Sequence, residues 1–235
     1  MTQDLPPEKK IKASQQVAEM LRNYILQGVV PPGEKLPPER TLATRFKVTR
    51  TTLREALKTL EQLKLIVIHQ GQGITVRDFR NASMDLLTHL MREGDEINFK
   101  IVENIMETRV LLGGEVARLA ALRAAPEDLA HLEKILQQLE QSNTPENYML
   151  LDFEFFYLLG LCSKNMVYIL LMNTIKSLYE KQVALFRPLA GAMKTKSQQA
   201  ILEAVKKHEP ANAERLAREY LTQGITLWHQ TDNKR

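Results

Sequence analysis

The sequence is short of most features that would take it outside the ordinary soluble globular classes. Of its 235 residues only Cys162 is a cysteine, so neither a disulfide framework nor a multi-cysteine zinc site can form. No run of about 18 apolar residues occurs, which excludes a membrane-spanning helix. The opening segment, Met1 to Pro7, lacks the charged-then-apolar order of a secretory leader, so no signal peptide is expected and a cytoplasmic location is. Surplus charge is small as well: 32 Lys and Arg stand against 28 Asp and Glu, a net +4. That excess, taken whole, does not argue for a polyanionic partner. The length allows one large or two small domains.

The charge is unevenly placed. Residues 1–80 hold 14 basic and 8 acidic side chains, whereas residues 81–235 hold 18 and 20. The first third is therefore basic by +6 and the remainder acidic by −2. Such asymmetry favours a polyanion-binding module joined to a neutral or acidic domain.

Local pattern sharpens this division. Ser14 to Gln27 reads as a helix, with Val17, Met20, Leu21, Tyr24 and Ile25 at helical spacing and Gly28 as its stop. After the Pro31-Pro32-Gly33 loop, Pro38 opens a short second helix with Leu42, Ala43 and Phe46 inward. Thr49 is placed to cap a third helix reaching about Leu63, whose inward face is Leu53, Ala56, Leu57 and Leu60. Leu65 to His69 and Ile74 to Arg77 read as two strands around the Gln70-Gly71-Gln72-Gly73 turn. Helix, helix, tight turn, helix, hairpin is the order of a winged helix-turn-helix. Beyond residue 80 strand signals nearly vanish. Helices are expected at 82–93, 97–122, 126–141, 146–162, 166–185, 188–207 and 210–230, with breaks at Gly94-Asp95, Asn143-Thr144-Pro145 and Glu209-Pro210. Gly113, Gly114 and Gly160 fall inside helical patterns, which points to close helix packing. The fold class expected is an N-terminal winged helix-turn-helix (α+β) over 1–80, a linker helix over 81–96, and an all-α helical-bundle ligand-binding domain over 97–235.

The third helix carries the sharpest functional signal. With its apolar face inward, Arg50, Thr51, Arg54 and Lys58 face outward, concentrated in the first turns. A recognition helix enters the major groove by that end. Arginine there can bond a guanine through both arms of its fork, and threonine can meet a thymine methyl. Thr49 and Thr52 join this end, while Arg40, Arg45 and Lys47 are placed to meet phosphates, which fix register and give salt-dependent affinity. The hairpin tip, Gln70, Gly71 and Gln72, would extend toward the minor groove.

The stretches Leu36-Pro37-Pro38-Glu39-Arg40-Thr41-Leu42-Ala43 and Val48-Thr49-Arg50-Thr51-Thr52-Leu53-Arg54-Glu55-Ala56-Leu57, followed by the Gly71-x-Gly73 wing, resemble the GntR family of bacterial transcription regulators. The helical remainder resembles its FadR subfamily. The resemblance implies operator contacts at Arg40, Arg50, Thr51, Thr52 and Arg54, and binding of palindromic double-stranded DNA as a homodimer. Many members of the subfamily hold a metal in the bundle through an aspartate and three histidines. Here Asp152 stands at the aspartate, but Phe156, Gln198 and Tyr220 stand at or near the histidines. The five histidines, at 69, 89, 131, 208 and 229, share no ligand-like spacing. No metal and no other cofactor is therefore expected.

Aromatic residues at such positions resemble the regulators that respond to fatty acids or acyl-CoA. The resemblance implies an acyl effector and regulation of fatty acid metabolism. Phe155, Phe156, Leu159, Met172, Tyr179 and Phe186 would line an apolar cavity, and each buried CH2 of a chain gives about 0.8 kcal/mol. Arg109 would pair a carboxylate or the polar end of a thioester. Asp152, Tyr220 and Trp228 complete the effector set. Two alternatives stand beside this one: a small carboxylate effector bound without metal, and a helical domain that only assembles. Catalysis is not expected. Ser163 beside Cys162 lacks a paired base, and Gly71-x-Gly73 sits in a hairpin rather than between strand and helix.

Overall fold

The structure is a computed structural model that describes residues 12–93, 96–190 and 195–232. The Met1 to Pro7 segment and the expected break at Gly94-Asp95 lie outside the described residues. The chain divides into two compact units between Leu86 and Leu87.

The first unit has helices α1 (Ala13–Leu26), α2 (Glu39–Phe46) and α3 (Arg50–Gln62), then strands β1 (Ile66–His69) and β2 (Gly73–Val76). Helix α1 buries Val17, Ala18, Leu21 and Ile25 and packs on α3. Met20 and Tyr24, which share that helical spacing, are exposed: the buried stripe is narrower than the full apolar periodicity. The strands pair antiparallel, with Ile66 opposite Val76 and His69 opposite Gly73. The loop after α1 adds to this hairpin, because Leu36 N donates to Ile74 O at 2.8 Å and Val76 N to Glu34 O at 2.9 Å. Residues 34–36 thus run as a third, irregular strand that the proline-rich sequence did not announce.

The expected linker helix over 81–96 is not formed. Phe79–Asn81 and Met84–Leu86 are single 3-10 turns, α4 (Leu87–Leu90) is one helical turn, and β3 (Arg92–Glu93) pairs β4 (Glu96–Ile97) in a two-residue ladder. Local side-chain bonds compete with the helix here. Asp78 caps the first turn by accepting from Arg80 N at 2.9 Å, and Ser83 Oγ accepts from Asp85 N at 3.2 Å.

The second unit contains α5 (Phe99–Arg123), α6 (Pro126–Glu140), α7 (Pro145–Cys162), α8 (Met166–Gln182), a 3-10 turn Val183–Phe186, α9 (Arg187–Ala190), α10 (Thr195–Lys206) and α11 (Pro210–Asp232). Caps set several of these starts: Asn98, Thr144 and Asn165 accept from the backbone N–H groups of Ile101, Asn147 and Val167. Helix α7 is apolar on every side and packs against α5, α6, α8 and α9, which makes it the centre of the unit. Helices α5 and α11 lie closely side by side. A Cβ on Gly113 would stand 2.3 Å from Leu221 Cδ1, and one on Gly114 2.6 Å from Arg218 Cγ. The mid-helix glycines of α5 thus allow the close approach that their positions suggested.

Candidate functional site

In the first unit the turn between α2 and α3 is set by two residues. Lys47 ends α2 in the left-handed region at φ 54°. Thr49 starts α3, its Oγ1 accepting from Thr52 N at 3.1 Å and lying 2.9 Å from Thr52 Oγ1. The two hydroxyls are therefore engaged with the helix start. Leu53, Ala56, Leu57 and Leu60 are fully buried beneath α3, and Arg50, Thr51, Arg54 and Lys58 stand exposed on the opposite side. Arg54 is oriented by Glu39 of α2: its Nε donates to Oε2 at 2.9 Å. Arg40, Arg45 and Lys47 are exposed as well. At the hairpin tip Gln70, Gly71 and Gln72 are exposed, and Gly71 at φ 71° and Gly73 at φ 103° supply the conformations that close the turn. The face combines the exposed cations Arg40, Arg45 and Lys47 with two exposed arginines at a helix N-terminal end.

The effector residues expected in the second unit all lie in its core. Asp152, from the middle of α7, is fully buried. Its Oδ2 accepts from Arg109 Nη2 of α5 at 2.5 Å, and its Oδ1 accepts from Gln198 Nε2 of α10 at 2.7 Å and from Tyr220 OH of α11 at 2.5 Å. The Arg109 guanidinium lies between two rings, 5.5 Å from the centroid of Phe156 and 5.7 Å from that of Tyr179. Stacking extends outward from there: Phe156 on Tyr220, Tyr179 on Phe153 and on Phe186, with Phe155 edge-on to Phe156. Phe186 continues to Trp228, whose ring lies 4.9 Å from that of Phe99. Burial alone would lower the Arg109 pKa, but Asp152, joined by Tyr179 and Tyr220, offsets it and the value is raised. Burial, followed by Asp152, pushes Tyr220 and Tyr148 up, and burial pushes Tyr179 up.

Two expectations change here. Arg109, expected to await a ligand's polar end, already carries an internal partner in Asp152. Phe155, Phe156, Leu159, Met172, Tyr179 and Phe186 form packed core. A groove of about 370 Å³ opens beside them between α7 and α8, lined by Leu150, Leu151, Phe153, Glu154, Lys176 and Tyr179 among others. Among the described residues no group of three or more His, Cys, Asp or Glu side chains could hold a metal ion.

A family model described as "Bacterial regulatory proteins, gntR family" matches residues 13–76, and the FCD domain model matches residues 104–223. The chain belongs to the gntR family of bacterial regulatory proteins. The HTH-type transcriptional regulator Mce2R of Mycobacterium tuberculosis is 31% identical over 220 residues, 92% of either chain. The fatty acid metabolism regulator protein of Serratia proteamaculans is 32% identical over 176 residues, 73% of this chain and 72% of the relative. A solved structure titled for Lar, controlling the Listeria monocytogenes agr system, superposes with a TM-score of 0.61 at 19% identity, covering 95% of this chain and 99% of that one. It shares the fold. As a member of the gntR family with an FCD domain, the chain is a DNA-binding transcription regulator and not an enzyme. No helix among its described residues is long and apolar enough to cross a membrane.

Three residues of this gntR-family regulator escaped the sequence reading. Lys35 Nζ donates to Gln72 O at 2.9 Å and so braces the wing; nothing in the primary structure pairs positions 37 residues apart. Gln198 was noted only as a missing histidine, yet it bridges Asp152 and Tyr220. Tyr148 stands one turn before Asp152 on α7, and that i, i+4 spacing was the available signal.

Proposed function

We propose that this regulator binds a palindromic operator as a homodimer and is controlled by a fatty acyl effector, a fatty acid or acyl-CoA, held in the helical domain. The carrying observation is the outer face of α3, where Arg50, Thr51 and Arg54 stand exposed over a fully buried Leu53–Leu60 face. Two such heads related by a two-fold axis would meet two half-sites, doubling the contact set. Support for the acyl effector is twofold. An arginine lies within an aromatic layer beside an apolar groove, which suits a chain with one polar end. The Serratia relative is named for fatty acid metabolism.

The DNA reading is tested with Arg50→Ala and Arg54→Ala. Each should weaken operator binding by about 1–3 kcal/mol and relax specificity at one base pair. Lys47→Ala should weaken binding to all sequences and reduce the salt slope by about one. Unchanged operator affinity in both arginine variants refutes the assignment of α3. The effector reading is tested by titrating oleoyl-CoA, oleate and short carboxylates against the protein–DNA complex. Release by short carboxylates and not by either oleoyl compound refutes it. The coupling must be reciprocal, so operator DNA must weaken effector binding by the same factor.

A further inference from the structure

The buried centre of the helical unit carries its own counter-charge. Arg109 and Asp152 form an ion pair in which the carboxylate is fully buried and the guanidinium side chain is 13% exposed. Asp152 is fully served: one donor reaches Oδ2 and two reach Oδ1. Because Gln198 and Tyr220 hold Oδ1, Asp152 engages Arg109 through Nη2 alone. Two buried donors beside this pair, Arg109 Nε and Tyr179 OH, have no hydrogen-bond partner among the described residues, whereas the Tyr148 hydroxyl faces Tyr220, Thr195 and Gln198. Both can donate. Two such orphans on neighbouring side chains, with the Arg109 guanidinium 5.7 Å from the Tyr179 ring centroid, are unusual, since buried polar groups are nearly always paired. The cluster calls for an acceptor atom in front of Arg109 and Tyr179.

That acceptor meets a centre whose charge is already balanced. A carboxylate would add a negative charge beside buried Asp152 with no cation to match it, which is strongly unfavourable in a low-dielectric core. An uncharged oxygen meets the same donors without that penalty. We propose that Asp152 sets the head-group class of the effector: by neutralising Arg109, it restricts the group accepted there to an uncharged acceptor, such as an ester or thioester carbonyl or a protonated acid, and turns carboxylate away. The inference rests on the reading that an acyl effector occupies this centre. The charged and titratable groups facing the position are Arg109 from α5, Tyr148 and Asp152 from α7, Tyr179 from α8 and Tyr220 from α11; α10 contributes the neutral Gln198. Lys176, at the groove, is already paired with Glu154 at 2.7 Å.

The test compares decanoate with methyl decanoate, which share a chain and differ in head charge. Binding to the full-length protein is measured by calorimetry at pH 6, 7 and 8. The ester should bind with the same affinity throughout. Only the protonated acid should bind, so decanoate affinity should fall about tenfold per pH unit, with one proton taken up per molecule bound. Asp152→Asn removes one charge at nearly constant volume. It should abolish both the pH dependence and the proton uptake, and shift preference at pH 8 toward decanoate by about tenfold or more. If this variant does not fold, the wild-type pH series and proton count decide alone. Decanoate binding that is independent of pH, without proton uptake, overturns the inference and leaves the acyl reading standing. A folded Asp152→Asn protein that keeps the wild-type preference overturns the role of Asp152. A wild-type protein that binds neither probe overturns the acyl reading itself.

Discussion

Asp152→Ala is the perturbation whose effect on stability follows most directly from the geometry. The wild-type carboxylate accepts from Arg109, Gln198 and Tyr220 at 2.5, 2.7 and 2.5 Å. Its removal leaves a buried guanidinium without a counter-ion, and breaking one partner of a buried pair typically costs about 3–5 kcal/mol. Gln198 and Tyr220 lose an acceptor as well, but they keep each other, because Gln198 Nε2 already donates to Tyr220 OH at 3.1 Å. A loss of about 3–5 kcal/mol is therefore expected in all, a large share of an ordinary domain's stability of about 5–15 kcal/mol. Arg109→Met should cost a similar amount by stranding the carboxylate. The double variant Arg109→Met with Asp152→Leu removes both charges and keeps apolar volume between the Phe156 and Tyr179 rings. Buried pairs replaced in this way are often near neutral, so the double variant should recover most of the loss. With Asp152→Leu as the matching single variant, expected to cost about as much as Asp152→Ala, the double-mutant coupling should be about 3 kcal/mol or more, at the top of the usual range. Urea unfolding followed by far-ultraviolet circular dichroism reads wild type, Asp152→Ala, Asp152→Leu, Arg109→Met and the double variant, with an unchanged slope confirming that the same transition is compared. A loss below about 1 kcal/mol for Asp152→Ala, or a double variant equal to the sum of the singles, would refute the coupling.

Three further outcomes are expected. Gly113→Ala gains about 1 kcal/mol of helix propensity, but its Cβ would stand 2.3 Å from Leu221 Cδ1 and 3.3 Å from Phe156 Cδ1. Overpacking of about 1–3 kcal/mol should win, lowering the urea midpoint; a raised midpoint would show that α5 and α11 are not so close. Lys64 ends α3 at φ 58°, where a side chain costs about 1–2 kcal/mol, so Lys64→Gly should stabilise the DNA-binding unit by about 0.5–1 kcal/mol net of glycine's chain entropy. Cys162 is buried, and burial pushes its thiol from an ordinary 9.0 up to about 12. A thiol reagent at pH 8 should label it only after unfolding. The folded state holds the proton more tightly, so this contribution to stability is whole below the unfolded thiol's pKa and is lost as pH rises toward about 12. Wild-type stability should accordingly fall more steeply than that of Cys162→Ala above pH of about 9; equal slopes would contradict it.

The DNA-binding unit was largely readable from local pattern. Its elements are short, their apolar positions follow helix or strand period, and Thr49, Gly71 and Gly73 mark boundaries by their own conformational preferences. The misses there are tertiary. Met20 and Tyr24 have the right period on α1 yet find no neighbour to cover them, and residues 34–36 join the hairpin only because β2 lies alongside. The 79–97 segment was misread for a local reason, since Asp78 and Ser83 bond the backbone of turns that compete with a helix.

In the helical unit the sequence determined most of the helices and many of the residues that meet, though not Tyr148 or the bridging role of Gln198. Asp152, Phe156 and Tyr220 were named by resemblance, Arg109 and Tyr179 by what an acyl cavity would need, and they do converge. How they converge was decided by tertiary structure. Four helices bring Arg109, Asp152, Gln198 and Tyr220 within hydrogen-bond reach, across separations of 43, 46 and 68 residues. Periodicity assigns a residue to a face, but which faces meet depends on packing among distant helices. Only there does Arg109 acquire an internal counter-ion, and with it a neutral centre in place of a free cation.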